Sequence, residues 1–382
     1  MFDKTHGSRS GRAATVLVIG AGVVGLTTAL TLRRAGYRVV VVAERFAPDI
    51  TSVVAGALWE WPPAVCGHHR DDASLRRSKS WCVTSYERFC RLAEDSRTGV
   101  HLRPAVFYFR RPLENDPVEH RKMRELSEHV RGFRHDADLA GRNGVSPTAG
   151  VRDAYTYLAP MVDTDTYLAW LTDQAVAAGC RIVQSRVDGD LAEREQQVLD
   201  RYGADAIVNC AGLGAVGLTG ESMYPLRGAL VYAHNDGRSM PRISRAHCMS
   251  YEESAGGQNM VFIVPRGTDL LVLGGLVEPG EWSTELTLDG YPPIRQMLAR
   301  CQDFLPVLRG ASLLAERTVR VGLRPARAGG VRLDHQPGTR ILHNVGHGGS
   351  GVTFSWGCAE EIAGLLGTVL AAPVGQTARR TA

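Results

Sequence analysis

Lysine, paired cysteines and long apolar runs are almost missing from this chain of 382 residues. Lysine occurs only at Lys4, Lys79 and Lys122, so arginine carries most of the positive charge, a bias typical of bacterial genomes rich in G and C. The formal net charge is only +4, and no dense basic run alternates with aromatic residues. The sequence therefore predicts no nucleic-acid-binding surface.

The eight cysteines are scattered, with no C-x-x-C motif and no His/Cys cluster at zinc spacing. We expect reduced thiols and no metal site. The first 13 residues are polar and lack the apolar stretch of a secretion signal. No apolar run approaches the roughly 18 residues that span a membrane, and no targeting address such as S-K-L ends the chain. These absences predict a cytoplasmic protein without a membrane anchor.

A glycine-rich loop near the beginning carries the first functional signal. Residues 15–19 form a continuous β-branched run, residues 26–34 favour a helix that stops at Gly36, and residues 37–43 form a second strand. Between the first strand and the helix lies a G-x-G-x-x-G pattern, Gly20-Ala21-Gly22-Val23-Val24-Gly25. Such a β-α-β unit binds a pyrophosphate at the helix N-terminus. Glu44, about 20 residues further on, can accept hydrogen bonds from ribose hydroxyls and disfavours NADP.

A second glycine-rich loop, residues 347–353, lies near the other end of the chain and precedes a helix predicted from about Thr353 to residue 370. A helix N-terminus stabilises the negative charge that develops on the pyrimidine edge of a reduced flavin. A nicotinamide develops no such anion. The two loops therefore indicate one long cofactor that both ends of the chain hold.

The elements between the loops predict an α/β fold of discontinuous segments. A Rossmann-like, nucleotide-binding domain is expected from residues 13–65, 160–220 and 316–372. A β-rich substrate domain, with mixed antiparallel sheet and helices, is expected from residues 66–159 and 221–315. Residues 1–12 and 373–382 are expected to be flexible tails.

Motifs along nearly the whole chain resemble those of the D-amino-acid oxidase family of FAD enzymes. They occupy residues 18–26, 43–48, 54–59, 167–172, 207–210, 273–276, 316–318, 322–327 and 343–357. The resemblance implies FAD as cofactor and hydride transfer from a D-amino acid. Oxygen would be reduced to hydrogen peroxide, and the imino acid would hydrolyse to a 2-oxo acid and ammonia. A homodimer is a further possibility.

Position by position, the resemblance implies a set of site residues. Those that would hold FAD are Gly20, Ala21, Gly22, Val23, Val24, Gly25, Glu44, Arg45, Thr51, Ser52, Gly56, Ala57, Leu58, Gly348, Gly349, Gly351, Val352 and Thr353. Arg324 would pair with the substrate carboxylate through its planar guanidinium. The carbonyl of Gly349 would accept from the substrate amine, with Ser350 beside it.

The sequence departs from the family around the substrate. Phe262 stands where the family has a tyrosine that meets the carboxylate, and Gln258 replaces a second tyrosine, on the lid. The small residues around Gly56 also come in a different order. Tyr232, Tyr251 or Tyr291 could supply a hydroxyl instead. His347, between glycines, is interpreted as ordering its loop rather than acting as a base, and His68 and His69 as loop residues.

Several hypotheses stay open. The first is an FAD-dependent oxidase of D-amino acids. The second keeps the flavin but acts on an unusual amino or cyclic imino acid in secondary metabolism, as the changes at Phe262 and Gln258 suggest. A third, of another class, is a nucleotide-binding regulatory protein without catalysis, and an NAD-linked dehydrogenase is a fourth.

Overall fold

The protein is described from a computed structural model, which defines residues 13–62, 71–249 and 260–371. The strands are β1 (Thr15–Ile19), β2 (Arg38–Ala43), β3 (Val100–Phe109), β4 (Arg134–His135), β5 (Asp153–Val162), β6 (Arg181–Gln184), β7 (Ala206–Asn209), β8 (Met223–His234), β9 (Ala246–Met249), β10 (Val261–Arg266), β11 (Leu270–Gly274), β12 (Glu278–Pro279), β13 (Val319–Arg327), β14 (Arg332–His335) and β15 (Ile341–Val345). The helices are α1 (Val23–Arg34), α2 (Asp72–Leu92), α3 (Pro117–Ser127), α4 (Leu139–Arg142), α5 (Thr164–Ala177), α6 (Glu195–Tyr202), α7 (Val216–Thr219), α8 (Pro292–Phe304) and α9 (Gly351–Ala371).

A six-stranded sheet in the order β14-β15-β7-β1-β2-β6 contains the predicted β-α-β unit. Strand β1 pairs in parallel with both β2 and β7, and β15 pairs in parallel with β7. Every residue of β1 and of β15 is buried, as expected for strands covered on both faces. Because parallel strands end at the same sheet edge, the loop after β1 and the loop after β15 emerge at one edge, on either side of β7.

A nine-stranded mixed sheet forms the second layer, with β12-β8-β11-β10-β9-β3-β5-β4 in order and β13 paired to β8. The sequence predicted only residues 106–109 of β3 and did not predict β5 or β13. Pro104 and Pro160 lie within β3 and β5, and Pro325 lies within β13. A proline in a sequence argues against a strand, because it has no N–H group to donate to the hydrogen bonds between strands.

Helices α1 and α9 begin at the two glycine loops and pack against each other. Helix α9 begins at Gly351, two residues before the predicted start. A Cβ atom on Gly357 of α9 would lie 2.3 Å from the Cα atom of Trp81, so glycine is required where α9 meets α2.

The fold class is confirmed as α/β with two sheets, whereas the domain boundaries stay a prediction. Within the described residues, none of the helices has the length and hydropathy of a transmembrane span.

Candidate active site

The loop after β1 is shaped by glycines that no other residue could replace. Gly20 has a φ of +112°, and a Cβ atom there would lie 2.4 Å from the carbonyl oxygen of Cys210. A Cβ atom on Gly25 would lie 2.0 Å from the carbonyl oxygen of Gly20. Helix α1 has no side-chain cap, and the Ser52 hydroxyl accepts from the N–H of Val23 at 3.1 Å.

Both glycine loops line one cavity of about 790 Å³. Most residues predicted to hold the cofactor are found in its wall: Gly20, Ala21, Gly22, Val23, Val24, Glu44, Arg45, Thr51, Ser52, Gly56, Gly348, Gly349, Gly351 and Val352. The cavity thus runs from the end of β2 to the start of α9. At the β2 end, the Oε1 atom of Glu44 lies 3.6 Å from the Nη1 atom of Arg186. Its volume is within the usual range for small-molecule sites.

Four predicted residues support the wall rather than form it. Gly25 packs on Gly20, Leu58 bridges to Met161 of β5, and Thr353 is buried in the first turn of α9. Ala57 has a φ of +52°, the left-handed region in which a residue with a Cβ atom is strained. The altered order of small residues around Gly56 therefore places an alanine at position 57, where a glycine would adopt this φ without strain.

Two buried polar atoms in the cavity wall have no hydrogen-bond partner among the residues that the structure describes. His347 Nε2 and Asn344 Oδ1 make no hydrogen bond, although both residues are at least nine-tenths buried and line the cavity. Burial lowers the pKa of His347 to about 4, so its imidazole is neutral at physiological pH. Groups of this kind normally have partners, so they fit a polar ligand beside them.

Arg324 projects from β13 into the same cavity. Its side chain is partly buried, and its hydrogen bonds to the described residues are two long ones, of 3.4 Å, to the carbonyl oxygens of Arg227 and Leu276. Burial lowers the pKa of Arg324 to about 10, so the group stays cationic. No carboxylate of the described residues pairs with it. A partly buried guanidinium without a carboxylate partner is suited to bind an anion such as a carboxylate.

Gly228 determines where that guanidinium lies. A Cβ atom on Gly228, in β8, would lie 2.4 Å from both terminal nitrogens of Arg324. Strands β8 and β13 are paired, so the Arg324 side chain lies flat on the bare backbone of Gly228. Sequence reasoning missed this residue because the contact joins positions almost a hundred residues apart.

We expect Gly228→Ala to raise KM for a carboxylate substrate by about 10- to 100-fold, the range supplied by charge-assisted hydrogen bonds. The methyl group displaces the flexible end of Arg324, so folding and flavin content should persist. Steady-state kinetics and the flavin absorbance per protein measure both. The matched control is Gly364→Ala on α9, where an added Cβ atom meets nothing within 4 Å. An unchanged KM for Gly228→Ala would contradict the role.

Arg266 is a second residue that sequence reasoning missed. It is buried in β10, and its guanidinium donates to the carbonyl oxygens of Ala55 at 2.6 Å and Gly56 at 2.9 Å. It also donates to the hydroxyl of Tyr232 at 2.7 Å. Arg266 therefore fixes the backbone of the segment that borders the cavity, although the sequence suggested only a turn at this position.

Among the described residues, position 262 offers a phenylalanine ring and not the tyrosine hydroxyl of the family pattern. The Phe262 ring packs on Gly56, where a Cβ atom would lie 2.7 Å from its Cζ atom. The Tyr232 hydroxyl is bound by Arg266, and the Tyr291 hydroxyl donates to Glu278 and accepts from Arg227. The Tyr291 hydroxyl is thus already engaged as both donor and acceptor, whereas the Tyr232 hydroxyl accepts from Arg266 and keeps its own O–H to donate. Ser350 is buried beside His347. Gln258, Tyr251, His68 and His69 lie outside the described residues.

Comparison with known proteins decides the family. Residues 15–365 match the family described as FAD dependent oxidoreductase. The chain belongs to this family. FAD is accordingly its cofactor, and the cavity offers what FAD requires: a pyrophosphate cradle at α1, a second helix N-terminus at α9 and unpaired polar groups between them.

Among relatives of this oxidoreductase, the D-amino-acid oxidase of Rubrobacter xylanophilus is 38% identical over 370 residues, 95% of this chain and 99% of the relative. That of Streptomyces coelicolor is 34% identical, covering 93% of this chain and 97% of the relative. The solved glycine oxidase of Geobacillus kaustophilus has a TM-score of 0.71 at 18% identity, covering 93% of this chain and 95% of that chain. This structural likeness supports the fold.

Proposed function

We propose that the chain is an FAD-dependent oxidase of D-amino acids. The observation that carries the proposal is Arg324, whose partly buried guanidinium has no carboxylate partner among the described residues and lies in the same cavity as both glycine loops. The full-length likeness to two bacterial proteins named D-amino-acid oxidase supports this substrate class. The product is an imino acid, which water hydrolyses to a 2-oxo acid and ammonia.

The proposed roles follow from chemistry and position. Arg324 binds the substrate carboxylate through two parallel hydrogen bonds, which fixes the rotation of the α-carbon. The carbonyl oxygen of Gly349 accepts from the substrate amine, so carboxylate and amine together orient the α-hydrogen. FAD, when bound, supplies the acceptor for the electrons of this oxidation. His347, neutral because burial lowers its pKa, does not need to act as a base.

The cofactor contacts are also part of the proposal. The N–H groups at the start of α1 hold the pyrophosphate, with Thr51 and Ser52 beside it, and Glu44 accepts from the ribose. Arg45 lies next to Glu44 in the cavity wall and contributes positive charge near the phosphates. The helix end at Gly348, Gly349, Gly351, Val352 and Thr353 faces the pyrimidine side.

We further propose that molecular oxygen is the electron acceptor, that hydrogen peroxide is released and that the enzyme acts in a bacterial cytoplasm. The seven described cysteines are all free and buried, which suits a reducing compartment.

A panel of D- and L-amino acids, assayed for peroxide and for anaerobic bleaching of the flavin, tests the function. We expect D-amino acids to bleach the flavin and L-amino acids to leave it oxidised. If no D-amino acid bleaches it, the proposal is wrong. Bleaching without peroxide would assign another electron acceptor.

A second candidate keeps the chemistry but acts on an unusual amino acid. Phe262 favours it, because this ring offers no hydroxyl to the carboxylate. Efficient turnover of common D-amino acids would exclude the candidate.

A further inference from the structure

Trp282 is a large aromatic side chain that the proposed mechanism does not use. It lies in the segment between β12 and α8, and 59% of its surface is exposed to solvent. It also lines the cavity that contains Arg324 and both glycine loops. Exposure of one apolar side chain carries no function by itself, but an exposed indole ring in the wall of a binding cavity offers a large contact area to a ligand.

The backbone around Trp282 is anchored to β8. Strand β12 pairs with β8, and the N–H of Gly280 donates to the carbonyl oxygen of Pro225 at 2.9 Å. Gly280 has a φ of +77°, and the chain turns there. The chain then returns toward β8, because the carbonyl oxygen of Ser283 accepts from the Arg227 guanidinium at 3.1 Å. Trp282 is therefore held at a defined place in the cavity wall.

Arg227 connects this segment with the end of the cavity that contains Arg324. Its buried guanidinium donates to the Glu278 carboxylate at 2.8 Å as well as to the carbonyl oxygen of Ser283. Its own carbonyl oxygen accepts from the Arg324 guanidinium at 3.4 Å. One residue of β8 thus contacts Arg324 through its backbone and the segment of Trp282 through its side chain. Trp282 and Arg324 consequently lie at the same end of the cavity.

The wall beside Arg324 is apolar. Leu230 follows Gly228 by two positions on β8, so both residues face the side of the sheet on which the Arg324 guanidinium lies. Leu230 also lines the cavity. A Cβ atom on Gly274 would lie 2.7 Å from a methyl carbon of Leu230 and 3.2 Å from the Phe262 ring, so these two side chains meet on Gly274. A substrate held at Arg324 by its carboxylate therefore meets hydrocarbon next to it.

Most charged residues of the cavity wall lie elsewhere. Among the described residues of the wall, the carboxylates and the arginines other than Arg324 all follow β2 or β6 in the sequence: Glu44, Arg45, Asp49, Arg186 and Asp188. Strands β2 and β6 are paired at one edge of the six-stranded sheet. The end of the cavity near Trp282 thus favours an apolar substrate side chain over a charged one.

We propose that Trp282 is a specificity-determining residue that packs against the side chain of a bulky apolar D-amino acid, such as D-phenylalanine or D-leucine. This inference rests on the proposed function. Arg324 binds the carboxylate, Leu230 forms the inner side of the side-chain pocket, and Trp282 forms its outer side, next to solvent. Binding then buries the exposed ring, and the apolar area removed from water grows with the size of the substrate side chain.

Substrates that differ only in the side chain test the inference. We expect kcat/KM of the wild-type holoenzyme for D-leucine to exceed that for D-asparagine, which has nearly the same shape, by about tenfold or more. Trp282→Ala should lower the ratio of kcat/KM for D-phenylalanine to that for D-alanine by about 5- to 30-fold, mainly through KM for D-phenylalanine. Trp282→Phe should restore most of this ratio, because it keeps an aromatic face. Val176→Ala is the matched control, since Val176 on α5 is 56% exposed and does not line the cavity.

Binding of unreactive carboxylates gives a readout that a structural role would not move. 3-Phenylpropionate and propionate are D-phenylalanine and D-alanine without the amino group, so they offer a carboxylate to Arg324 but cannot be oxidised to an imine. Titrations followed by flavin absorbance should show tighter binding of 3-phenylpropionate, and Trp282→Ala should lower this preference by about 5- to 30-fold. Quenching of tryptophan fluorescence by bound 3-phenylpropionate should be weaker in Trp282→Phe than in the wild type.

The outcomes separate this inference from the proposed function. An unchanged ratio of D-phenylalanine to D-alanine turnover in Trp282→Ala would overturn the role of Trp282 and leave the oxidase intact. A lower affinity for FAD with an unchanged ratio would assign the ring to the cofactor and also overturn this role. Bleaching by no D-amino acid would overturn the oxidase itself. If Trp282→Ala does not fold, as judged by flavin content and thermal unfolding, the fluorescence of Trp282→Phe and the wild-type ratio of D-leucine to D-asparagine still decide.

Discussion

Arg324→Leu is expected to lower kcat/KM for D-amino acids by roughly 10²- to 10³-fold, since truncating one partner of a buried charge pair costs about 2–5 kcal/mol. The loss should appear mainly as a higher KM, because the carboxylate loses its counter-charge before the reaction begins. The leucine fills the space on Gly228 without a charge, so the fold is retained. Arg324→Lys should recover part of the loss, since it restores the charge without the planar fork.

Steady-state kinetics with D-amino acids, together with flavin absorbance, provides the measurement. Arg309→Leu is the matched control, because the ion pair between Arg309 and Asp303 is exposed to solvent. Wild-type kinetics in Arg324→Leu would show that another group binds the carboxylate.

Gly25→Ala is expected to yield protein without bound flavin. The new Cβ atom would lie 2.0 Å from the carbonyl oxygen of Gly20 and 2.8 Å from its carbonyl carbon, and neither backbone atom can swing aside. Helix α1 must then move away from β1, which separates its N–H groups from the pyrophosphate. We expect the affinity for FAD to fall by at least about a hundredfold, with overpacking costing about 1–3 kcal/mol of stability.

Titration of apoprotein with FAD, followed by quenching of flavin fluorescence, measures this affinity. Gly141→Ala is the control, since an added Cβ atom at this helical position meets nothing within 4 Å. Flavin bound in stoichiometric amount by Gly25→Ala would show that the tight contact is not needed for the cradle.

Sequence reasoning succeeded where local chemistry determines the structure. The unit β1-α1-β2 depends on a β-branched run, three glycines and good helix formers within about thirty residues, and the structure reproduces it. The convergence of the two glycine loops was also predicted, and both line one cavity. In each case the signal lies within one short stretch of chain.

The remaining site depends on contacts between distant positions. Gly228 has a role only because β8 pairs with β13, and Arg266 only because β10 passes under Ala55 and Gly56. Neither contact can be predicted from the residues of the segments that form it. Strands β3, β5 and β13 were not predicted for a related reason. Each contains a proline, which argues against a strand in a local sequence pattern, whereas the pairing with neighbouring strands in the sheet accommodates it.

Strands β1, β7 and β15 are neighbours in the six-stranded sheet, although they lie far apart in the sequence and are therefore synthesised at different times. Residues 348–352, which complete the cavity, leave the ribosome more than three hundred residues after Gly20. A nascent chain therefore exposes the first glycine loop long before the second exists, and a cradle formed by both loops must wait until the second has been synthesised. Such late closure of distant contacts slows folding and leaves sheet edges exposed. Expression with ample riboflavin should consequently improve yield by trapping chains that have just closed.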